Sequence, residues 1–253
     1  MLCDRLKTDE LLLSSWSTVP DSIIAEALAL DKWDACTIDM QHGMMGYAEA
    51  RSMVMAIAGA GKPSVVRLPL NGLSIGARML DIGVSALIAP MINSAAEAEQ
   101  FVQAFHFPPH GGRSWGAYRA VATGRMTKEA YLAEAGARIA LFAMIETREA
   151  LDNVEAIAAI RGLGGLFVGP SDLTISLTNG RSFEPDGEAE AVEALEHIVA
   201  VARKHGLSPG IFTPSAAQAK TRIAQGFRFV TVNSDIGFLN AGSAAALNAL
   251  GRA

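Results

Sequence analysis

The sequence predicts an α/β protein folded as one (β/α)8 TIM barrel over residues 1–253. Three observations carry that prediction. Eight short apolar runs alternate along the chain with amphipathic helical patterns. No Pro/Ser-rich linker or low-complexity tract divides them. The length of 253 residues suits one such barrel, and half of them are apolar, enough for a large core without covalent staples.

The apolar runs are continuous rather than alternating, as expected of parallel strands covered on both faces. The first four are Leu11 to Trp16, Ala35 to Met40, Ser64 to Leu68 and Ala86 to Met91. The second four are Ile139 to Ile145, Gly165 to Val168, Leu207 to Phe212 and Phe227 to Val232. Between them, Asp21 to Leu30, Tyr47 to Ala60, Ser94 to Phe105 and Glu188 to His205 read as helices. Ser74, Ser94, Thr127 and Ser215 are expected to cap helix N-termini. Gly237 to Leu250, rich in Ala and Leu, is expected to close the barrel or to pack on another subunit. Two irregular stretches are expected to cover the catalytic side. One is the loop from Phe107 to Gly116, inside the long connection from Met91 to Ile139; the other is Thr174 to Asp186.

Composition removes several classes of function. The net charge is -5 and Lys and Arg are scattered, so no basic stripe offers itself to nucleic acid. No apolar stretch reaches the ~18 residues of a membrane span, and Met1 to Glu10 lacks the apolar core of a signal peptide. Cys3 and Cys36 are the only cysteines, which points to a reducing, cytoplasmic setting rather than a disulfide framework. Gly162 to Gly165 precedes a strand, whereas a dinucleotide fingerprint follows one.

The C-terminal ends of barrel strands carry the chemistry of this fold. Strand one ends at Trp16, strand two at Asp39 and then His42, and strand three at Arg67. Strand five delivers Glu146, and strand six runs into Gly169, Pro170, Ser171 and Asp172. Each has a bland reading alone: Trp16 as core, His42 as a turn residue, Arg67 as the ion-pair partner of an acid, Glu146 as a helix-starting charge. Together on one rim they exceed what a structural barrel needs. Two carboxylates from neighbouring strands suit one hard divalent cation with open positions for a substrate's oxygens. A guanidinium fork recognises a carboxylate or an oxyanion, and a His beside an Asp suits proton transfer. These parts describe enolate formation from a 2-oxo acid, or C–C cleavage.

The segments Thr37 to Gly43, Val65 to Pro69, Leu80 to Gly83, Ile145 to Glu149 and Val168 to Leu173 occur in the order and spacing of a known family. From about Leu11 to Gly237 the chain resembles the HpcH/HpaI family of class II pyruvate aldolases. The resemblance implies a barrel of the phosphoenolpyruvate/pyruvate superfamily type, assembled as a homohexamer of dimers that exchange a C-terminal helix. It implies Glu146 and Asp172 as ligands to Mg2+, Mn2+ or Co2+, and pyruvate or a related 2-oxo acid plus an aldehyde as substrates. Arg67 would lie beside the keto oxygen, with His42 and Asp39 serving proton transfer. Backbone N–H groups near Gly169, Pro170 and Ser171 would hold the carboxylate, and Trp16 would shape the pocket. The chain departs from the family pattern at Met144, where many relatives carry Gln, at Gln41, and in the loop Gly112 to Gly116.

Lys7, Lys32, Lys62, Lys128, Lys204 and Lys220 all fall before strands or on helices, which speaks against a Schiff-base lysine. An acyl-CoA lyase of the citrate-lyase beta type would need a basic groove, for which only Arg113, Arg119 and Arg125 are candidates. A non-catalytic metal-binding barrel is the third reading. His106, His110, His197 and His205 read as packing or surface residues.

Overall fold

A computed structural model describes residues 1–252. It begins with α1 (Leu2–Leu6), β1 (Leu12–Ser17), α2 (Ser22–Leu30), β2 (Ala35–Asp39), α3 (Tyr47–Gly59) and β3 (Ser64–Arg67). Next come α4 (Leu73–Asp81), β4 (Ala86–Ala89), α5 (Ala95–Phe105), α6 (Tyr118–Thr123), α7 (Lys128–Glu134) and β5 (Ala140–Ile145). Then follow α8 (Arg148–Asp152), α9 (Val154–Ala158), β6 (Gly165–Val168), α10 (Pro170–Leu177) and α11 (Ala189–Lys204). The chain ends with β7 (Ser208–Thr213), α12 (Ala216–Gln225), β8 (Phe229–Val232) and α13 (Asp235–Ala249). All eight strands are parallel to their neighbours, and β8 pairs with β1 to close the barrel. The (β/α)8 class expected from the sequence is the observed fold.

The strands' outward residues and the helices' inner faces make one core, and the barrel interior makes another. In the interior, Phe142, Phe167 and Phe229 pack ring against ring, with centroids 5.3–6.3 Å apart. Burying each ring contributes about 1.5–3 kcal/mol. Below them, at the N-terminal end of the strands, Leu2, Cys3 and Leu6 of α1 plug the barrel. The interior is therefore closed at one end and filled at its middle, so a ligand can enter only at the C-terminal rim.

Strand registers place the uppermost interior layer. A barrel of this type staggers by about one residue per strand. Following the pairings round with that stagger brings Trp16, Arg67, Met144 and Phe212 to one level. Alternate strands β1, β3, β5 and β7 each supply one of them, the four-residue layer usual for this fold.

Several local expectations need correction. Ser74 is not a cap: α4 starts at Leu73 with Gly72 at its N-cap, which puts Ser74 in the first turn. Ser94, Thr127 and Ser215 do cap, each accepting a backbone N–H from its helix's first turn. The fourth strand stops at Ala89, and Met91 beyond it has φ +57. The loop from Phe107 to Gly116 is not on the catalytic side. α5 has already returned the chain to the N-terminal end, where the N–H of Arg113 donates to the His106 carbonyl and Arg113 pairs with Asp81 at 2.7 Å. Thr174 to Asp186 does lie near the rim, tied there by Arg148, whose N–H donates to Ser176 Oγ and whose guanidinium donates to the Leu177 carbonyl.

The last helix starts two residues earlier than expected, because Ser234 caps it. Asp235 is its only buried residue. That carboxylate accepts the N–H groups of Thr18 and Val19, anchoring the helix start to the rim. Beyond it Leu239, Leu247 and Leu250 are exposed. Among the described residues, no helix is long and apolar enough to cross a membrane.

Candidate active site

A pocket of about 190 Å³ opens at the C-terminal rim, directly over the Trp16–Arg67–Met144–Phe212 layer. His42, Gly169, Pro170, Ser171 and Asp172 complete its lining. Two of the larger cavities, of about 680 and 610 Å³, lie at the other end of the barrel among the helix-to-strand connections. Neither gathers acids with an arginine and a histidine, so size is a poor guide to the chemistry here.

Asp39 is the last residue of β2 and points inward beneath the pocket, 1 % exposed. Its partner in the β2–β3 register is Arg67, and the two side chains meet there. Arg67 donates from Nε to Oδ1 at 2.8 Å and from Nη2 to Oδ2 at 2.6 Å. Trp16 Nε1 donates to Oδ2 at 3.3 Å, and the backbone N–H groups of Gln41 and His42 donate to Oδ1. Burial disfavours the charge on Asp39, but the bonds to Arg67 and its positive charge outweigh it and hold the carboxyl below its usual range. The Arg67 guanidinium also lies 4.9 Å from the Trp16 ring centroid, a cation–π contact.

This geometry changes the expected relation between Asp39 and His42. Asp39 was expected to orient the imidazole; it instead binds the His42 backbone N–H as the chain turns off the strand. The carboxylate is saturated by five donors, and the exposed His42 ring has no hydrogen-bond partner among the described residues. Gly43 makes the turn possible, since a Cβ there would run into the Asp39 carbonyl.

Glu146 follows β5 and is 3 % exposed. Oε1 accepts the Met91 N–H at 2.7 Å, and no basic side chain bonds to it. Burial pushes its carboxyl up to about 7; the Met91 bond and Arg67 oppose the rise, and Asp172 adds to it. Its other oxygen faces Gly169, where a Cβ would sit 2.7 Å from Oε2 and 2.6 Å from the Met144 methyl. Glycine at 169 is what lets the carboxylate approach the backbone at the end of β6. Asp172 lies in the first turn of α10, exposed, behind Pro170 at the helix start.

Every residue singled out from the sequence is thus at the rim. Trp16, Arg67, His42, Gly169, Pro170, Ser171 and Asp172 line the pocket; Asp39 and Glu146 stand behind it. Sequence reasoning missed Phe212 and the Met91 N–H, and did not count Met144 in the site. Met144 shares a strand face with Glu146, two residues on, and the layer rule would have supplied Phe212.

The site suits a divalent cation. A buried carboxylate without a basic partner, with Asp172 beside it, offers hard oxygen donors and repays charge neutralisation. Among the described residues no three of His, Cys, Asp and Glu cluster as a closed metal site, so water and substrate would supply the remaining ligands.

A sequence model of the HpcH/HpaI aldolase/citrate lyase family matches residues 13–241. The chain belongs to that family. The chain is 38% identical over 229 residues to a hydroxypyruvate/pyruvate aldolase of Rhizorhabdus wittichii, covering 90% of each. It is 35% identical over 234 residues to a 5-keto-4-deoxy-D-glucarate aldolase of Klebsiella pneumoniae, covering 92% of this chain and 89% of the relative. The crystal structure of an HpcH/HpaI aldolase/citrate lyase family protein from Burkholderia cenocepacia superposes with a TM-score of 0.90 at 33% identity over 98% of both chains. As a member of the HpcH/HpaI family, this protein is a carbon–carbon lyase.

Proposed function

We propose that the protein is a divalent-metal-dependent aldolase that makes and cleaves 4-hydroxy-2-oxo acids, joining pyruvate or a related 2-oxo acid to an aldehyde. The observation that supports this best is Glu146: buried, lacking a basic partner, and one residue layer above an arginine held rigidly at the pocket floor. The aldolase names of the relatives agree with it. Glu146 and Asp172 would hold Mg2+, Mn2+ or Co2+, which when bound supplies Lewis acidity toward the keto oxygen.

The protein's own groups account for the rest. Nε and Nη2 of Arg67 are committed to Asp39, which fixes the guanidinium plane and leaves Nη1 for an oxyanion in the pocket. In cleavage, His42 takes the proton of the C4 hydroxyl, the C3–C4 bond breaks, and its electron pair moves to C3 and onto the keto oxygen as the enolate. The aldehyde leaves and C3 is protonated; addition reverses these steps. N–H groups at the start of α10, near Ser171, would hold the carboxylate. Trp16 and Phe212, 5.2 Å apart at their centroids, wall the other side.

The acyl-CoA reading loses two of its three candidate arginines. Arg113 is buried against Asp81 and Arg119 donates to the Ile82 carbonyl, both far from the rim. The exposed leucines of α13 support a subunit contact, in keeping with a homohexamer in which that helix is exchanged. Two buried, unpaired cysteines fit a cytoplasmic setting. The test is a screen of pyruvate against several aldehydes, with chelator and with each metal restored. Metal-dependent aldol product is expected, and equal turnover in excess chelator would refute the reading.

A further inference from the structure

The pocket floor is chemically lopsided. Of its four side chains, Arg67 alone presents a polar group to the cavity, because the Trp16 N–H is turned toward Asp39. Met144 and Phe212 have no N–H or O–H to offer. Met144 is 2 % exposed, and its Cε lies 2.6 Å from the point that a Gly169 Cβ would occupy. Glu146 Oε2 is 2.7 Å from that same point. The thioether methyl is therefore a near neighbour of the carboxylate that would hold the cation. A donor bound through its keto oxygen would carry its adjacent carbon over this apolar part of the floor. An alkyl group on that carbon meets a methyl and aromatic faces. A hydroxyl there meets neither donor nor acceptor from Met144 or Phe212 and gains nothing from this part of the floor in return for the water it gives up.

We propose that Met144 sets donor specificity, favouring 2-oxo acids whose C3 carries only hydrogen or an alkyl group and disfavouring those with a C3 hydroxyl. This rests on the aldolase reading above and adds the class of donor. An apolar surface discriminates against an added hydroxyl by about ten- to a hundredfold. Relative kcat/KM with one aldehyde acceptor and a divalent metal should be measured for pyruvate, 2-oxobutanoate and 3-hydroxypyruvate. Wild type should prefer the first two. Met144→Gln should shift the ratio toward 3-hydroxypyruvate by about tenfold or more, while Met144→Leu should leave it in place. If Met144→Gln does not fold, Met144→Thr carries the same test. Preference of the wild type for 3-hydroxypyruvate, or a ratio unmoved by a hydrogen-bonding residue at 144, would overturn the assignment. Metal-dependent proton exchange at pyruvate C3 separates the two levels. With exchange intact and the ratio unmoved, only the role of Met144 falls; with no exchange on any donor in wild type, the aldolase reading falls and this inference with it.

Discussion

Arg67 grips Asp39 side-on, both carboxylate oxygens engaged at 2.8 and 2.6 Å, with neither side chain more than a tenth exposed. The β2–β3 register sets these residues opposite one another, so the pair is a consequence of strand pairing as much as of charge. Losing one partner strands the other. Asp39→Ala should cost about 3–5 kcal/mol by chemical denaturation, because the guanidinium is left buried and uncompensated. Arg67→Lys keeps the charge without the planar fork and should restore only part of the turnover lost in Arg67→Ala.

The contact pattern also separates Asp39 from His42. His42→Ala should lower aldol turnover by about 10²–10⁴, the range for an acid–base group, and spare metal-dependent exchange at pyruvate C3. Asp39 acts on the Arg67 plane and touches only the His42 backbone. Asp39→Asn should therefore reduce exchange and turnover together, as Arg67 variants do. If Asp39→Asn instead spared exchange, the aspartate would belong with the histidine.

Glu146 makes a pH prediction with a definite sign. Its carboxyl is raised from 4.5 to about 7 by burial, so in the metal-free protein a proton competes with the cation. Metal affinity by calorimetry should rise about tenfold per pH unit below 7 and level off above it. The metal-free fold should respond oppositely. The native carboxyl keeps its proton where the unfolded one has lost it, so its stabilising contribution is full below 4.5 and fades as pH rises to about 7. Glu146→Gln should flatten both dependences.

Gly169 is tested by one methyl group. A Cβ would collide with Glu146 Oε2 and the Met144 methyl, at 2.7 and 2.6 Å. Gly169→Ala should fold, yet bind the cation at least about tenfold more weakly, since a displaced carboxylate forfeits about 1.4 kcal/mol or more. Unchanged metal affinity would mean that Glu146 does not need its present position.

The strands were legible because parallel strands buried on both faces leave continuous apolar runs, and the rim acids were legible because they interrupt those runs at their ends. What failed had physical causes. Spacing places Asp39 and His42 close together but cannot rank the donors competing for one carboxylate, and Arg67, delivered by the neighbouring strand, wins. Length alone points the loop from Phe107 to Gly116 to the catalytic side, although a helix separates it from β4 and reverses the chain. Met144 and Phe212 look like ordinary core residues until the registers show that their layer is the uppermost, with a cavity above it.

The proposed function requires Glu146 and Asp172 to hold the cation that acidifies a 2-oxo acid over Arg67. Deuterium uptake at pyruvate C3, followed by NMR without any aldehyde, reads that acidification apart from C–C bond formation. Exchange should appear in the wild type with Mg2+, Mn2+ or Co2+, vanish in excess chelator, return when metal is restored, and be absent from folded Glu146→Ala and Asp172→Ala. Exchange that survives chelation, or that proceeds at the wild-type rate in either variant, would rule out Glu146 and Asp172 as the ligands.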